Sequence, residues 1–172
     1  MIFNTIRILA DWYADGTSGI NARLATVPKD AGDAVPPSVT IRDSTRDDQV
    51  ARRHLTDQFP APSVIVFHPV ASELDGWIGV GLERAAGLTV ATGYVTRKSV
   101  TATGVVDGWL TLRAAKQSIN ALMQGNEAAR TRNSVRLLRV VRDEISETMA
   151  EVGDTVVQIV RVTTFQAEDI AP

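Results

Sequence analysis

Five carboxylates cluster in the C-terminal third of the chain, and their spacing decides which chemistry they could do. They are Asp143, Glu144, Glu147, Glu151 and Asp154. Carboxylate oxygens are ligands for divalent cations, but this spacing does not match the calcium-binding loop of an EF-hand. The cluster therefore has two interpretations, a cation site and a solvated acidic surface, and we favour the acidic surface.

Other reactive residue types do not form a catalytic motif. The two histidines, His54 and His68, are not at the spacing of a histidine metal centre. The chain has no cysteine, so a thiolate nucleophile or metal ligand is excluded, and it has no G-x-S-x-G elbow for a serine nucleophile. Residues 79–84 read GVGLER, where Arg84 replaces the third glycine of a dinucleotide fingerprint. We interpret them as a glycine-rich turn, and expect no enzyme activity, cofactor or metal.

Two charged stretches remain, one basic and one of mixed charge, and both favour contacts with proteins. The first contains the arginines Arg130, Arg132, Arg136, Arg139 and Arg142. Phosphate contact is conceivable there, but no aromatic residue is interleaved for base stacking. We therefore favour a strand that carries arginines on both faces and meets acidic partners.

The second stretch, at residues 38–62, mixes both signs of charge. Three aspartates alternate with four arginines, in the order Arg42, Asp43, Arg46, Asp47, Asp48, Arg52 and Arg53. Such a segment suits ion pairs between subunits, which fix register although each contributes little energy. A solvated loop is the alternative. We favour an extended arm or hairpin that reaches a neighbouring subunit, and a disordered insertion stays open.

Composition sets the frame for these segments. The chain has 172 residues, 44% of them hydrophobic, which is enough for the core of one domain. Its formal charge of −2 lacks the basic excess of a dedicated nucleic-acid binder. No run reaches the ~18 apolar residues of a membrane span, and the N-terminus does not read as a signal peptide. We expect a soluble chain with no membrane partner.

Hydrophobic periodicity places the elements. Apolar residues at steps of three and four predict a helix at 2–14, with the stripe Ile2, Ile6, Leu9 and Tyr13 widened by Phe3 and Trp12. A longer helix is predicted at 105–123, with Asp107 at its start, Gly125 at its end and the stripe Val105, Trp109, Leu112, Ala115, Ile119 and Leu122. Alternating or continuous apolar runs predict strands near 63–67, 77–80, 88–97, 135–142 and 155–165. The acidic stretch between the last two is predicted to be a hairpin loop or a short helix, and the two strands an antiparallel pair. Residues 28–37 are predicted to be a loop, and the C-terminal QAEDIAP a frayed tail. Residues 1–172 should therefore form one α+β domain, a mainly antiparallel sheet with two amphipathic helices on one face.

Three stretches of this layout resemble a known group of proteins. The N-terminal helix followed by GINARLATVPKD resembles the opening of neck and tail-completion proteins of long-tailed bacteriophages and related prophages. The helix WLTLRAAKQSINALM and the last strand, TVVQIVRVTTF, are similar to those of tail terminator proteins of that group.

The resemblance implies a structural virion protein with an α+β fold. It also implies a homohexameric ring, assembled in the host cytoplasm, that caps the tail tube and joins it to the head connector. The tail tube protein and the connector would be its partners, and genomic DNA would pass without specific binding. The acidic run at 143–154 would then line the lumen or face a partner. Alternatives are another neck or head-completion protein, and a small bacterial enzyme or ligand-binding domain with a carboxylate site on loops at 70–86.

Overall fold

The computed structural model describes residues 2–46, 62–67, 78–80, 83–96, 102–125, 127–149 and 157–170. The helices in these ranges are α1 (Ile2–Tyr13), α2 (Ile20–Leu24) and α3 (Ala102–Gly125). The strands are β1 (Thr40–Asp43), β2 (Ser63–Phe67), β3 (Ile78–Val80), β4 (Glu83–Thr96), β5 (Thr131–Arg132), β6 (Val135–Met149) and β7 (Val157–Asp169).

The strands form one sheet in the order β1-β2-β4-β7-β6-β5, and β3 also pairs with β4. Only β1 and β2 are parallel, and the other pairs are antiparallel. Helices α1 and α3 contact each other and pack on the sheet, so the predicted α+β class is confirmed. The predicted terminal antiparallel pair is β6 and β7, which stay in register over most of their length.

Helix α1 packs on the sheet with the predicted apolar stripe. Ile6, Leu9 and Tyr13 are buried, and Trp12 packs against the same core. Phe3, which the sequence places on this stripe, is 64% exposed instead. It lies in the first turn of the helix.

Helix α3 has the predicted core stripe and is longer than predicted. Its buried or partly buried residues include Trp109, Leu112, Ala115, Ile119 and Leu122. The sequence places Asp107 at the start of the helix, but the helix begins at Ala102 and Asp107 is buried in its second turn. Gly125 ends the helix as predicted. Trp12 Nε1 donates a hydrogen bond to the carbonyl of Ser118 at 2.8 Å, which ties α1 to α3.

Two strand ends differ from the sequence prediction. The acidic residues 143–149 continue β6 and are not a loop or a helix. The C-terminal residues 166–169, predicted to be frayed, belong to β7, where Ala167 and Glu168 are buried. Both segments are extended because they pair with neighbouring strands. Residues 143–149 pair with β7, and residues 166–169 pair with β4 and β6.

The segment predicted to be an arm begins inside the sheet. β1 pairs with β2, and its start is held by Asn21, whose side-chain amide exchanges two hydrogen bonds with the backbone of Val39 at 2.8 and 2.9 Å. An amide side chain thus imitates a paired strand at this position. The predicted loop at 28–37 contains no helix or strand, and residues 47–61 lie outside the described part of the chain.

Gly19 marks the closest approach in the turn between α1 and α2. A Cβ at this position would lie 2.3 Å from the carbonyl oxygen of Tyr13 and 2.4 Å from that of Asp15. Both obstacles are backbone atoms, so a side chain cannot be accommodated by a rotamer change. At Gly16, three residues earlier, an added Cβ would meet nothing within 4 Å.

We therefore expect Gly19→Ala to lower the free energy of unfolding by roughly 2 kcal/mol or more, because the turn must open. Gly16→Ala is the matched control and should change it by less than about 1 kcal/mol. Urea unfolding followed by circular dichroism measures both. Equal stability of the two variants would contradict the close approach at Gly19.

Candidate functional site

A guanidinium lies in the core between the sheet and α3. Arg161 of β7 is 2% exposed; its Nη1 donates to the carbonyl of Leu112 at 3.2 Å, and its Nη2 donates to Asp143 of β6. Asp143 also accepts a hydrogen bond from Thr163 at 3.3 Å and lies 3.8 Å from the ammonium of Lys116. This polar cluster joins β6, β7 and α3 by charged contacts in a region that is otherwise apolar.

Tyr13 brings α1 to the same cluster. Its hydroxyl oxygen lies 3.4 Å from that of Thr92 on β4, and the side chain is buried. Burial raises the pKa of Tyr13 from 10.0 to about 12, and the charge of Asp143 acts in the same direction. The hydrogen bond to Thr92 and the charge of Arg161 oppose the rise. The phenol is therefore neutral over the whole physiological range.

A second charged contact lies on the solvent side of α1. Asp11 accepts a hydrogen bond from Arg46 at 2.7 Å and forms an ion pair with Arg132. Burial raises the pKa of Asp11, but hydrogen bonds from Arg46 and then Arg132 outweigh that effect, and the pKa lies below its ordinary value.

These two arginines come from opposite edges of the sheet. Arg46 follows β1 and Arg132 belongs to β5, the first and last strands of the order. In a flat sheet the five steps between them would span ~24 Å. One carboxylate can contact both only because the sheet curves around α1. Two further contacts, Arg7 with Thr45 at 3.0 Å and Asn4 with Asn133 at 3.2 Å, join the same helix to the same two sides.

The face of β6 and β7 away from the helices is polar and charged. Three arginines of β6 have partners there: Arg136 with Glu168 and Glu127, Arg139 with Gln166, and Arg142 with Glu144. The hydrogen bonds that Arg136 donates to Glu168 and then to Glu127 raise the pKa of Arg136. We call this surface, defined by the side chains of these arginines and their partners, the polar sheet face.

Two β-bulges place the three arginines on one face, a correction to the prediction of arginines on both faces. Strict alternation would send Arg139 to the side opposite Arg136 and Arg142. The register shifts by one residue between Leu137 and Arg139, and again between Val140 and Arg142. Each bulge adds one residue and reverses the alternation, so a spacing of three becomes a single row.

The residues expected at a subunit interface have different positions. Arg42 is half-buried in β1, and Arg46 is exposed but pairs with Asp11. Asp43 is buried, a correction to its expected place on a rim. It lies opposite Val66 on the helix-covered face and accepts hydrogen bonds from the backbone and hydroxyl of Thr45, both at 2.7 Å. The other four, Asp47, Asp48, Arg52 and Arg53, lie outside the described residues.

The acidic residues expected at a lumen or partner surface are also divided. Asp143 lies under α3 and binds Arg161, which corrects its expected place on an open surface. Glu144 is exposed on the polar sheet face. Glu147 belongs to β6, whereas Glu151 and Asp154 lie outside the described residues. Among the described residues, no group of three or more histidines and carboxylates is placed to hold a metal ion.

The remaining motifs give no assembled site in the described part of the chain. Val80 of β3 pairs with Glu83 of β4, and Gly79 pairs with Arg84. Gly81 and Leu82, where we favoured a turn, lie outside the described residues. His54 and His68 lie outside the described residues. An open cleft of about 340 Å³ is lined by α1 and the turn before β5, and a second of the same volume by Trp109, Arg113 and the 30–33 loop.

Comparisons with known proteins add no assignment. No protein-family model matches the chain, and no curated protein matches it significantly. None of the helices in the described ranges is long and apolar enough to cross a membrane.

Sequence reasoning missed three residues that matter most to this arrangement. Arg161 did leave a signal, because a single arginine inside the apolar run TVVQIVRVTTF requires a buried partner. Tyr13 was assigned to an apolar stripe, and nothing in that pattern reveals its hydroxyl contact. Asp11 contacts Arg132, which is 121 positions away, and no local pattern could indicate that pair.

The buried ion pair predicts a specific pattern of stability changes. Arg161→Met leaves Asp143 without its main partner, so we expect a loss of about 3–5 kcal/mol in the free energy of unfolding. Adding Asp143→Leu should recover part of this loss, because no uncompensated charge is then buried. Arg142→Met, at a side chain that is 70% exposed, is the control and should cost less than about 1 kcal/mol. Urea unfolding at pH 7 measures all three, and an Arg161→Met loss no larger than the control would exclude the role of the pair.

The raised pKa of Tyr13 predicts an alkaline loss of stability. The unfolded state releases the phenolic proton near pH 10 and the folded state only near 12, so stability is complete below pH 10 and falls as the pH rises between these values. The loss from this group is roughly 3 kcal/mol. Tyr13→Phe should remove that component, so wild type should lose about that much more than the variant between pH 9.5 and 12. Parallel urea titrations that change equally with pH would contradict burial of the phenol.

Proposed function

We propose that this chain is a structural protein of a bacteriophage virion, a tail terminator that forms a homohexameric ring. The ring caps the tail tube and joins it to the head connector. The chain acts without a catalytic centre or cofactor. It is assembled in the host cytoplasm and resides in the tail or neck of the virion.

The polar sheet face is the observation that carries this proposal. Helices α1 and α3 cover one face of the sheet and bury the apolar side chains of the core. The other face, on β6 and β7, presents Arg139, Arg142 and Glu144 as exposed side chains. Arginine is enriched in protein interfaces. Gln166 on β7 holds Arg139 in place, and Glu144 of the same strand holds Arg142, before any subunit arrives. Such a surface favours recognition of other proteins.

Charge balance supports the passage of DNA through such a ring. A lumen that bound phosphates through many unpaired cations would retain the DNA in proportion to the counterions released. In this chain Arg136, Arg139 and Arg142 each have an acceptor within the same subunit. The formal charge of the whole chain is −2. The polar sheet face therefore carries charged groups that are paired, and the chain as a whole is close to neutral.

The oligomeric state tests the proposal directly. We expect size-exclusion chromatography with light scattering to give six times the monomer mass of 18.6 kDa, in a concentration-dependent equilibrium, and negative-stain microscopy to show rings. Arg139→Glu combined with Arg142→Glu should weaken assembly by about tenfold or more if the polar sheet face meets a neighbour or partner. Lys29→Glu, in the loop after α2, is a control that reverses a single charge outside the polar sheet face.

Two results would contradict the proposed function. One is a monomer at every protein concentration up to roughly millimolar, well above the dissociation constants of stable assemblies. The other is a closed assembly without a central opening, since DNA must pass through the ring. A reconstruction with Glu144 on the outer rim of the ring would leave the proposed ring intact. It would contradict only the expectation that the acidic run at 143–154 lines the lumen.

A further inference from the structure

At each end of the strand order, a strand edge lacks a hydrogen-bonded neighbour within the described residues. These are the outer edge of β1 and most of the outer edge of β6. β1 pairs with β2 alone. On the other side, β5 pairs with Val135 and Arg136 of β6, and the N–H of Leu137 donates to the carbonyl of Arg130 at 2.9 Å. Residues 142–149 of β6 pair with β7 and with no other strand of the described residues. An edge of this kind presents backbone N–H and C=O groups that another strand can pair with.

The two edges lie at the same level of the sheet. The register connects Thr40 of β1 to Ser63, then to Val95, Gln158 and finally Thr148 of β6. At the other end of β1, the register connects Asp43 through Val66, Thr92 and Arg161 to Ile145. All four residues of β1 therefore share rows with residues 145–148 of β6, so a second copy can extend the sheet without a shift along the strands.

The bulges divide the β6 edge into two parts. Both lie between Leu137 and Arg142, and the register from Arg142 to Met149 is continuous. Bulges on an edge hinder pairing with another strand, so the part near β5 is protected whereas residues 142–149 keep a regular edge. This regular part is the one that shares rows with β1.

Strand direction and charge agree with this match. β1 runs parallel to β2, and three antiparallel steps then lead to β6, so β6 runs opposite to β1. A β1 strand from the next copy would therefore pair with β6 in the antiparallel mode. By register, Arg42 of an added β1 strand shares a row with Ser146 of β6, two residues from the exposed carboxylate of Glu144. Opposite charges on neighbouring strands stabilise the pair.

We propose that β1 of one copy pairs antiparallel with residues 142–149 of β6 in the next copy. The contact joins two different surfaces, so it is heterologous, and repetition of such a contact closes a ring when the rotation allows it. This inference rests on the proposed function and specifies how neighbouring subunits bind. It makes the sheet continuous from copy to copy and makes β1 part of the subunit interface.

Engineered cysteines test the pairing, because the chain has no cysteine of its own. Thr40→Cys is combined with Thr148→Cys in one variant and with Ser146→Cys in a second, which allows for a shift of two residues. Opposed residues of antiparallel strands have Cα atoms about 4.5–5.5 Å apart, which suits a disulfide. After mild oxidation, denaturing electrophoresis should show a reducible ladder of up to six copies in one of the two. A disulfide within one copy would give monomer only.

The single variants and an unmodified sample complete the design. Thr40→Cys or Thr148→Cys alone should give no ladder, and efficient dimer formation by either would indicate like edges in contact and overturn the inference. In wild type, amide exchange at 40–43 and 142–149 should slow about tenfold or more on assembly, which tests the pairing without any substitution. Rings that lack both the ladder and this protection would overturn the pairing and leave the proposed function intact. A protein that stays monomeric would overturn both.

Discussion

The fold depends on a charge that cannot leave the core. Arg161 is buried between β7 and α3, and desolvation of a guanidinium is costly unless its partners are in place. Asp143 on β6 and the carbonyl of Leu112 on α3 supply them. Any slip of β6 against β7, or of α3 along the sheet, would remove one of these contacts. The interaction thus acts less as a source of stability than as a determinant of register, and Tyr13 extends the same constraint to α1.

A second constraint sets the curvature of the sheet. Asp11 joins arginines from the two outermost strands, and polar contacts from Asn4 and Arg7 follow on the same helix. Surface ion pairs are individually weak, but here three contacts at steps of three and four residues act on one rigid helix. The apolar stripe of α1 faces the sheet while its polar side holds the sheet edges, so one amphipathic pattern serves both packing and shape.

The sequence predicted the elements whose pattern is local and missed the relations that are not. Periodicity located α1, the stripe of α3 and the pairing of the last two strands, because each depends on neighbours a few residues apart. It could not extend β6 through the acidic residues 143–149, because hydrogen bonding to β7 outweighs their low strand propensity. It could not place Asp43 or Asp143, because their burial is set by partners on other strands. The arginines at steps of three did contain a signal, since a strand that keeps them on one face needs two bulges.

Those bulges connect the core, the polar sheet face and the open edge. With strict alternation, the phase that brings Leu137 to the core would bring the charge of Arg139 there as well. The first bulge turns Arg139 outward to Gln166, and the second returns the phase so that Asp143 points to Arg161. The two bulges together therefore take Arg139 to the outside while Leu137 and Asp143 keep the core side. A bulge also disturbs the strand edge beside it. The two bulges therefore confine regular pairing to residues 142–149 of β6, the part that lies level with β1.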